Sequence, residues 1–195
     1  IPDSTSGLVI YQPGDNSTGN GLGIDNYFSN TIMPPYAHAY MLTAILSPDY
    51  VDSENNGTTT RGPSAGDIGN YTKFKYDEII GKYNWRVPVG DQTATFNEGL
   101  KSDPTDDKAN YIYGEKELRY LSSIETKNYI AIFTLTDRKD GFGVVDKDGK
   151  RAAANPMKRL DKISLYTKPA YKLSQANGTT PIPIKEVHFE YDYSL

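Results

Sequence analysis

Apolar and polar residues alternate in short runs along this chain, which is the pattern of half-buried β-strands. In the last run, Val187 and Phe189 alternate with His188 and Glu190, which predicts an antiparallel strand with one polar face. The run 129–136 is apolar at odd and even positions alike, so it predicts a central strand covered on both sides. Residues 115–121 fit either two helical turns or the start of a strand. We expect helix in under about 15% of the chain, well below the usual third.

A pair of short motifs recurs three times and defines the predicted organisation. The first motif, L-x-x-I, starts at Leu42, Leu121 and Leu160. The second resembles F-x-Y-D and starts at Phe74, Phe133 and Phe189, although the middle copy has Leu135 and Thr136 in place of Tyr and Asp. The repetition predicts three degenerate hairpin units, at about 36–80, 113–140 and 157–195. Nine apolar residues are expected to pack as a repeated core: Leu42, Ile45, Phe74, Leu121, Ile124, Phe133, Leu160, Ile163 and Phe189.

These units predict an all-β or β-dominated fold, in which antiparallel hairpins form an extended or curved sheet with long polar loops and little helix. Residues 36–195 are expected to be a single β domain. Residues 1–35 are rich in turn formers and are expected to be a loop-rich segment with one short strand near Leu8.

Composition supports strands and removes several functional classes. The chain has 195 residues with 16 Tyr, 17 Gly, 12 Pro and no Cys, which favours strands and turns and excludes disulfides and thiolate chemistry. A net charge of −4 without a basic stretch predicts no nucleic-acid partner. No apolar run approaches the roughly 18 residues of a membrane helix, so no membrane insertion is expected.

Catalytic motifs are absent or lack their structural context. Gly62–Gly66 reads G-x-S-x-G, but no apolar strand precedes it and no helical pattern follows, so a loop is expected. Only His38 and His188 are available as imidazoles. We therefore expect no catalytic residues and no enzyme. A hydrolase built on two of the 25 acidic residues is the third hypothesis, because sequence spacing cannot show a pair across a cleft.

Residue type indicates two candidate binding sites. Asp137, Asp140, Asp146 and Asp148 lie among glycines, and such oxygen-rich turns either are ordinary hairpin turns or hold Ca²⁺. No other cofactor is indicated. Aromatic side chains with polar tips suit both half-exposed sheets and carbohydrate stacking; the candidates are Trp85, Tyr83, Tyr36 and Tyr113.

The pairing of L-x-x-I with F-x-Y-D resembles the YD-repeat, or RHS, proteins, and the likeness is closest to very large secreted or cell-surface proteins of Bacteroidetes. Stretches such as Tyr36–Thr43, Gly69–Tyr76 and Tyr113–Leu118 contribute to it. The resemblance implies a bacterial, toxin-related β-sheet strip with a shell or scaffold role. The catalytic pieces of that family, a C-terminal toxin and an aspartate autoprotease, have no matching positions here.

The first functional hypothesis is therefore a non-catalytic structural segment of a secreted or surface protein, with the rest of a longer parent chain as its partner. The alternative is a β-module that binds carbohydrate, with glycans as its ligand, or another surface protein.

Overall fold

The computed structural model describes residues 6–21, 28–53, 62–96 and 108–194, and it is strand-dominated, with 43% strand and 8% helix. This confirms the β-dominated fold class and the low helix content. In chain order the strands are β1 (Leu8–Ile10), β2 (Ala44–Leu46), β3 (Tyr71–Val87), β4 (Thr93–Phe96), β5 (Ala109–Asn110), β6 (Ile112–Thr126), β7 (Tyr129–Asp137), β8 (Lys158–Thr167) and β9 (Lys185–His188). A helix, α1 (Lys168–Asn177), follows β8, and a 3-10 turn spans Pro13–Asp15. Residues 115–121 thus belong to a strand.

The described residues form two compact units. The first takes its residues from 1–36, 80–118 and 138–157, and the second from 37–79, 119–137 and 158–195. This division differs from the expected boundary between 1–35 and a single domain 36–195. The difference arises because the short apolar run at Leu8–Ile10 finds its strand partner in the middle of the chain rather than within the N-terminal segment.

The first unit contains the small sheet β1-β4-β5. β1 and β4 are antiparallel, with Val9 opposite Ala94, and both of these side chains are buried. Ile80, Tyr83 and Val144 are also buried in this unit. Its buried side chains therefore range in size from Ala94 to Tyr83.

The second unit contains the three predicted hairpins, which lie in a sheet of order β2-β3-β6-β7-β8-β9. α1 covers one face of this sheet near β7 and β8, where the Tyr171 ring lies 5.3 Å from that of Tyr166. Ile130 lies opposite Tyr166 in the β7/β8 pair, and both are buried. β7 is central in strand order, as predicted, but only its α1 face has a buried side chain.

All three predicted hairpins form, and they share one register. In each hairpin, the isoleucine of L-x-x-I lies opposite the residue two positions before the phenylalanine of the second motif. The three pairs are Ile45–Thr72, Ile124–Ala131 and Ile163–Val187. The three hairpins share this register although the loops that connect their strands differ greatly in length. The strand sequences, and not the turns, therefore specify the pairing.

The nine repeat residues do not form a buried core, contrary to expectation. None of them is among the buried side chains, and Leu42, Ile45 and Phe189 are exposed. The remaining six, Phe74, Leu121, Ile124, Phe133, Leu160 and Ile163, are half-buried. Side chains alternate across a strand, so Phe133 and Ile163 lie on the face opposite Ile130 and Tyr166, away from α1. Leu42 and Ile45 belong to the edge of the sheet.

Candidate functional site

The most distinctive surfaces of the second unit are its two open strand edges, β2 and β9. Each has one neighbouring strand among the described residues, β3 for β2 and β8 for β9. The Phe74 N–H donates to the Thr43 carbonyl at 2.9 Å, and the Ser47 N–H donates to the Asn70 carbonyl at 2.9 Å. Hydrogen-bonded pairs alternate in antiparallel ladders, so Thr43, Ile45 and Ser47 direct their backbone groups towards β3. Ala44 and Leu46 direct theirs outwards.

The same reasoning applies to β9. The Phe189 N–H donates to the Asp161 carbonyl at 2.9 Å, so the backbone groups of Val187 and Phe189 point towards β8. Those of Glu186 and His188 point outwards. Pairing thus continues one residue beyond the end of β9. No strand of the described residues pairs with the outward-pointing backbone groups of either edge, and such groups are a template for a further strand.

Large apolar side chains accompany these unpaired backbone groups. On the β2 side, Leu42 is 53% exposed, Ile45 55% and Leu46 47%, while on the β9 side Val187 is 43% exposed. Residues 42–46 contain no charge. Soluble proteins usually protect sheet edges with charged residues, proline or bulges, so an uncharged apolar edge favours association.

β9 carries a polar cluster on its other face. The Glu186 carboxylate lies 2.8 Å from Lys162 Nζ and 3.5 Å from His188 Nε2, and it accepts a 2.7 Å hydrogen bond from the Ser164 hydroxyl. The hydrogen bonds from Lys162 and Ser164 lower the pKa of Glu186 to about 2. The cluster attaches β9 to β8, and its saturated hydrogen bonding leaves it poorly suited to acid–base catalysis.

Lys168 ties the start of α1 to the sheet. Its ammonium group is ion-paired with Glu125 and donates to the Tyr71 hydroxyl at 2.8 Å, and the residue is 5% exposed. Burial opposes the charged form, but the contacts with Glu125 and Tyr71 outweigh it and raise the pKa of Lys168. Because its pKa is raised and its ammonium group is already paired, Lys168 does not resemble a nucleophilic lysine.

A buried carboxylate, that of Asp67, organises the turn that contains the end of the G-x-S-x-G segment. Asp67 is 2% exposed and accepts hydrogen bonds from the backbone N–H groups of Ser53 and Ser64 and from the Tyr50 hydroxyl, at 2.8 to 3.1 Å. Burial opposes ionisation, but these hydrogen bonds outweigh it and lower the pKa of Asp67. Burial and the hydrogen bond to Asp67 raise the pKa of Tyr50 to about 12. Ser64 therefore sits in a turn organised by Asp67 and not on a nucleophile elbow.

The first unit has its own buried cation, Arg86, which is 2% exposed. Its Nε donates to the Lys147 carbonyl at 2.7 Å, Nη1 to the Pro88 carbonyl at 2.6 Å and Nη2 to the Tyr11 hydroxyl at 3.2 Å. The guanidinium carbon lies 4.1 Å from the centre of the Tyr111 ring. All three nitrogens are engaged, so Arg86 has a structural role and is not placed to bind an anionic ligand.

The predicted aromatic residues do not form one open platform. Tyr83 is buried and donates to the Gly141 carbonyl at 3.2 Å. The Trp85 indole lies over Gly114, where an added Cβ would be 2.6 Å from Nε1. The remaining two differ: Tyr36 is exposed, whereas Tyr113 is half-buried and donates to Glu115 at 2.9 Å.

The four predicted calcium ligands are also held separately. Asp137 is paired with Lys158, and both Asp140 oxygens accept hydrogen bonds from Arg138. Two others use their carboxylates inside the first unit: Asp146 accepts from the Asp148 N–H at 2.9 Å, and Asp148 accepts from the Tyr11 hydroxyl at 3.5 Å. Across the part of the chain that the structure describes, no group of three or more His, Asp or Glu side chains could hold a metal ion. The four aspartates therefore act as turn and ion-pair residues.

A shallow cavity in the first unit, lined by Tyr83, Asn84 and Val144 among others, has a volume of about 160 Å³. Small-molecule sites commonly have several hundred Å³. This cavity is therefore too small to indicate an organic substrate.

Sequence reasoning missed the two features that now stand out, the open edges and the Lys168 contact. The uncharged run at 42–46 was the available signal for the first. The second joins residues 97 apart along the chain and had no sequence signal.

No helix within the described residues is long and apolar enough to cross a membrane. Comparisons with protein-family models, curated proteins and solved structures gave no match. The YD-repeat resemblance therefore remains a hypothesis based on the repeated motifs of this chain.

Proposed function

We propose that this chain is a non-catalytic structural segment of a secreted or cell-surface protein of the YD-repeat type, where it extends a β-sheet scaffold together with the rest of its parent chain. The supporting observation is the shared register of the three hairpins, with Ile45, Ile124 and Ile163 at equivalent positions. A sheet built by adding one equivalent hairpin after another grows in one direction, as in repeat proteins that provide surface or shape.

The junction between successive hairpins supports the same function. β7 ends the second hairpin and β8 begins the third. The two strands pair along their length, with Phe133 opposite Ile163 and Leu135 opposite Leu160. The repeat motifs therefore face each other between hairpins as well as belonging to them. Their side chains join neighbouring hairpins into one sheet, which is a structural role.

The chemistry of the polar clusters points away from catalysis. Glu186, Asp67, Lys168 and Arg86 are each held by several hydrogen bonds to the protein itself. Groups engaged in this way stabilise local structure and have little capacity left for a substrate.

The function is tested with the intact chain and with cells that produce the protein. Brief protease treatment of intact cells should release peptides of this chain, because a surface scaffold is accessible. The purified chain should show no turnover of hydrolase substrates and no saturable binding on a glycan array, with Trp85 fluorescence as a second reporter of binding. Turnover or specific glycan binding would contradict the scaffold role, and peptides released only after cell lysis would contradict the surface location.

A further inference from the structure

The open edges β2 and β9 lie at opposite ends of the same antiparallel sheet. Within the described residues, the strands in the order β2-β3-β6-β7-β8-β9 alternate in direction from each strand to its neighbour, so β2 and β9 run in opposite directions. A second copy in the same orientation can therefore place its β2 antiparallel to β9 of the first copy.

We propose that copies of this chain associate head to tail, with β9 of one copy pairing antiparallel with β2 of the next and Phe189 lying opposite Ile45. This interface depends only on the strand register. It can fail while the scaffold function holds, and it can form in a protein with another function.

The register follows from the junction inside the chain. At the β7/β8 junction, the phenylalanine of one hairpin, Phe133, lies opposite the isoleucine of the next hairpin, Ile163. The free β9 edge continues into Phe189, and the free β2 strand carries Ile45. Repeating the internal junction at these free edges places Phe189 opposite Ile45 of the next copy.

The direction of the backbone groups agrees with this register. Phe189 and Ile45 both point their backbone groups into their own sheets, as derived above, so they would form a non-hydrogen-bonded pair. The outward-pointing groups of His188 and Leu46 would then face each other and form the hydrogen-bonded pair beside it.

Phe133 and Ile163 are a non-hydrogen-bonded pair for the same reason. The bond from Phe189 to Asp161 turns the backbone groups of Asp161 and Ile163 towards β9 and away from β7. The proposed interface thus repeats the internal junction in both register and hydrogen-bond pattern.

A second copy is the occupant that the side chains favour. Ile45 and Leu46 on one edge and Val187 and Phe189 on the other are all exposed, and pairing the edges covers both groups at once. In the proposed register the uncharged residues 42–46 face residues 188–192 of the other copy, so Glu190 and Asp192 meet no like charge there. Pairing the two edges therefore removes exposed apolar side chains of both from water.

The chain contains no cysteine, so single-cysteine variants test the interface without background. Four are needed: Ile45→Cys, Leu46→Cys, His188→Cys and Phe189→Cys. Opposite residues in an antiparallel pair have Cα atoms about 4.5 to 5.5 Å apart, which is within the range that disulfides bridge. Variants are mixed in pairs under mild oxidation, and covalent dimers are measured on non-reducing gels and by mass spectrometry. Circular dichroism checks that each variant is folded.

The expected result is a mixed disulfide as the main dimer for Ile45→Cys with Phe189→Cys and for Leu46→Cys with His188→Cys. Two crossed mixtures serve as controls: Ile45→Cys with His188→Cys, and Leu46→Cys with Phe189→Cys. They should yield little mixed disulfide, because the two cysteine side chains would lie on opposite faces of the sheet. Two independent in-register pairs keep the test valid if one variant does not fold.

Three results would overturn the proposal. They are the absence of mixed disulfide from both in-register mixtures of folded variants, equal yields in the crossed mixtures, and dominant self-disulfides of Phe189→Cys or His188→Cys alone. The last would show a two-fold β9–β9 contact. None of these results affects the protease and glycan-array tests of the proposed function, so the failures are distinguishable.

Discussion

Glu186 shows how a single ionised residue attaches an edge strand. Hydrogen bonds from Lys162 and Ser164 lower its pKa from the ordinary 4.5 to about 2. A depressed carboxyl pKa stabilises the fold at pH values above the unfolded pKa, and this contribution is lost as the pH falls through the folded pKa. The relevant window therefore runs from about pH 4.5 down to about pH 2.

We expect the variant Glu186→Gln to be less stable than the wild-type protein above this window and equally stable near its lower end. Urea unfolding midpoints at a series of pH values measure the difference, which should shrink as the carboxylate of the wild type becomes protonated. Glu190→Gln, at an exposed position four residues further along, is the matched control and should run parallel to the wild type. A difference for Glu186→Gln that does not change with pH would show that the ion pair with Lys162 does not stabilise β9.

A buried ion pair at its first turn helps to hold helix α1 to the sheet. A cation at a helix N-terminus is unfavourable to the helix dipole, and Lys168 is the first residue of α1. Its side chain is 7% exposed and that of Glu125 is 29% exposed. Removal of one partner leaves the other partly buried without its counter-charge. We therefore expect Lys168→Met to lower the free energy of unfolding by about 2–4 kcal/mol.

Lys172→Met, on an exposed position of the same helix, is the matched control and should change stability by less than about 0.5 kcal/mol. Addition of Glu125→Leu to Lys168→Met should recover part of the loss, because both charges are then absent. Urea unfolding measures all three variants. Equal stabilities of Lys168→Met and Lys172→Met would show that the ion pair does not hold α1 to the sheet.

The strands of this fold were predictable where the signal was local and repeated. L-x-x-I and F-x-Y-D identified all three hairpins because alternation and repetition are carried by neighbouring residues. α1 was not predicted, although Pro169 in its first turn and Gly178 after its end are ordinary helix start and stop signals. Gly178 adopts φ of 64° and closes the helix.

The candidate site was less predictable because it depends on the order of strands in space. The apolar character of Leu42 and Ile45 indicated a core position, and only the pairing order shows that β2 lies at an edge. The contact between Tyr71 and Lys168 likewise requires that β3 and α1 come together. The sequence pattern therefore predicts which residues are apolar and paired, but not which of them are left uncovered.

Head-to-tail pairing has a consequence for the whole molecule, because a contact between two different edges does not close by itself. Such heterologous contacts form rings or open chains, so the average mass in sedimentation should rise steadily with concentration. Ile45→Lys blocks the β2 edge and Phe189→Lys blocks the β9 edge, since a buried lysine at the new interface is costly. Each variant alone should remain a monomer.

A mixture of the two variants provides the sharper measurement. Ile45→Lys retains its β9 edge and Phe189→Lys retains its β2 edge, so the two proteins can form one interface and no more. We expect a dimer without larger species, at twice the 21.7 kDa of the chain. Ile182→Lys, at a position that is 87% exposed and outside both edges, should associate like the wild type. Dimers of either edge variant alone would contradict head-to-tail pairing, because a two-fold contact needs only one kind of edge.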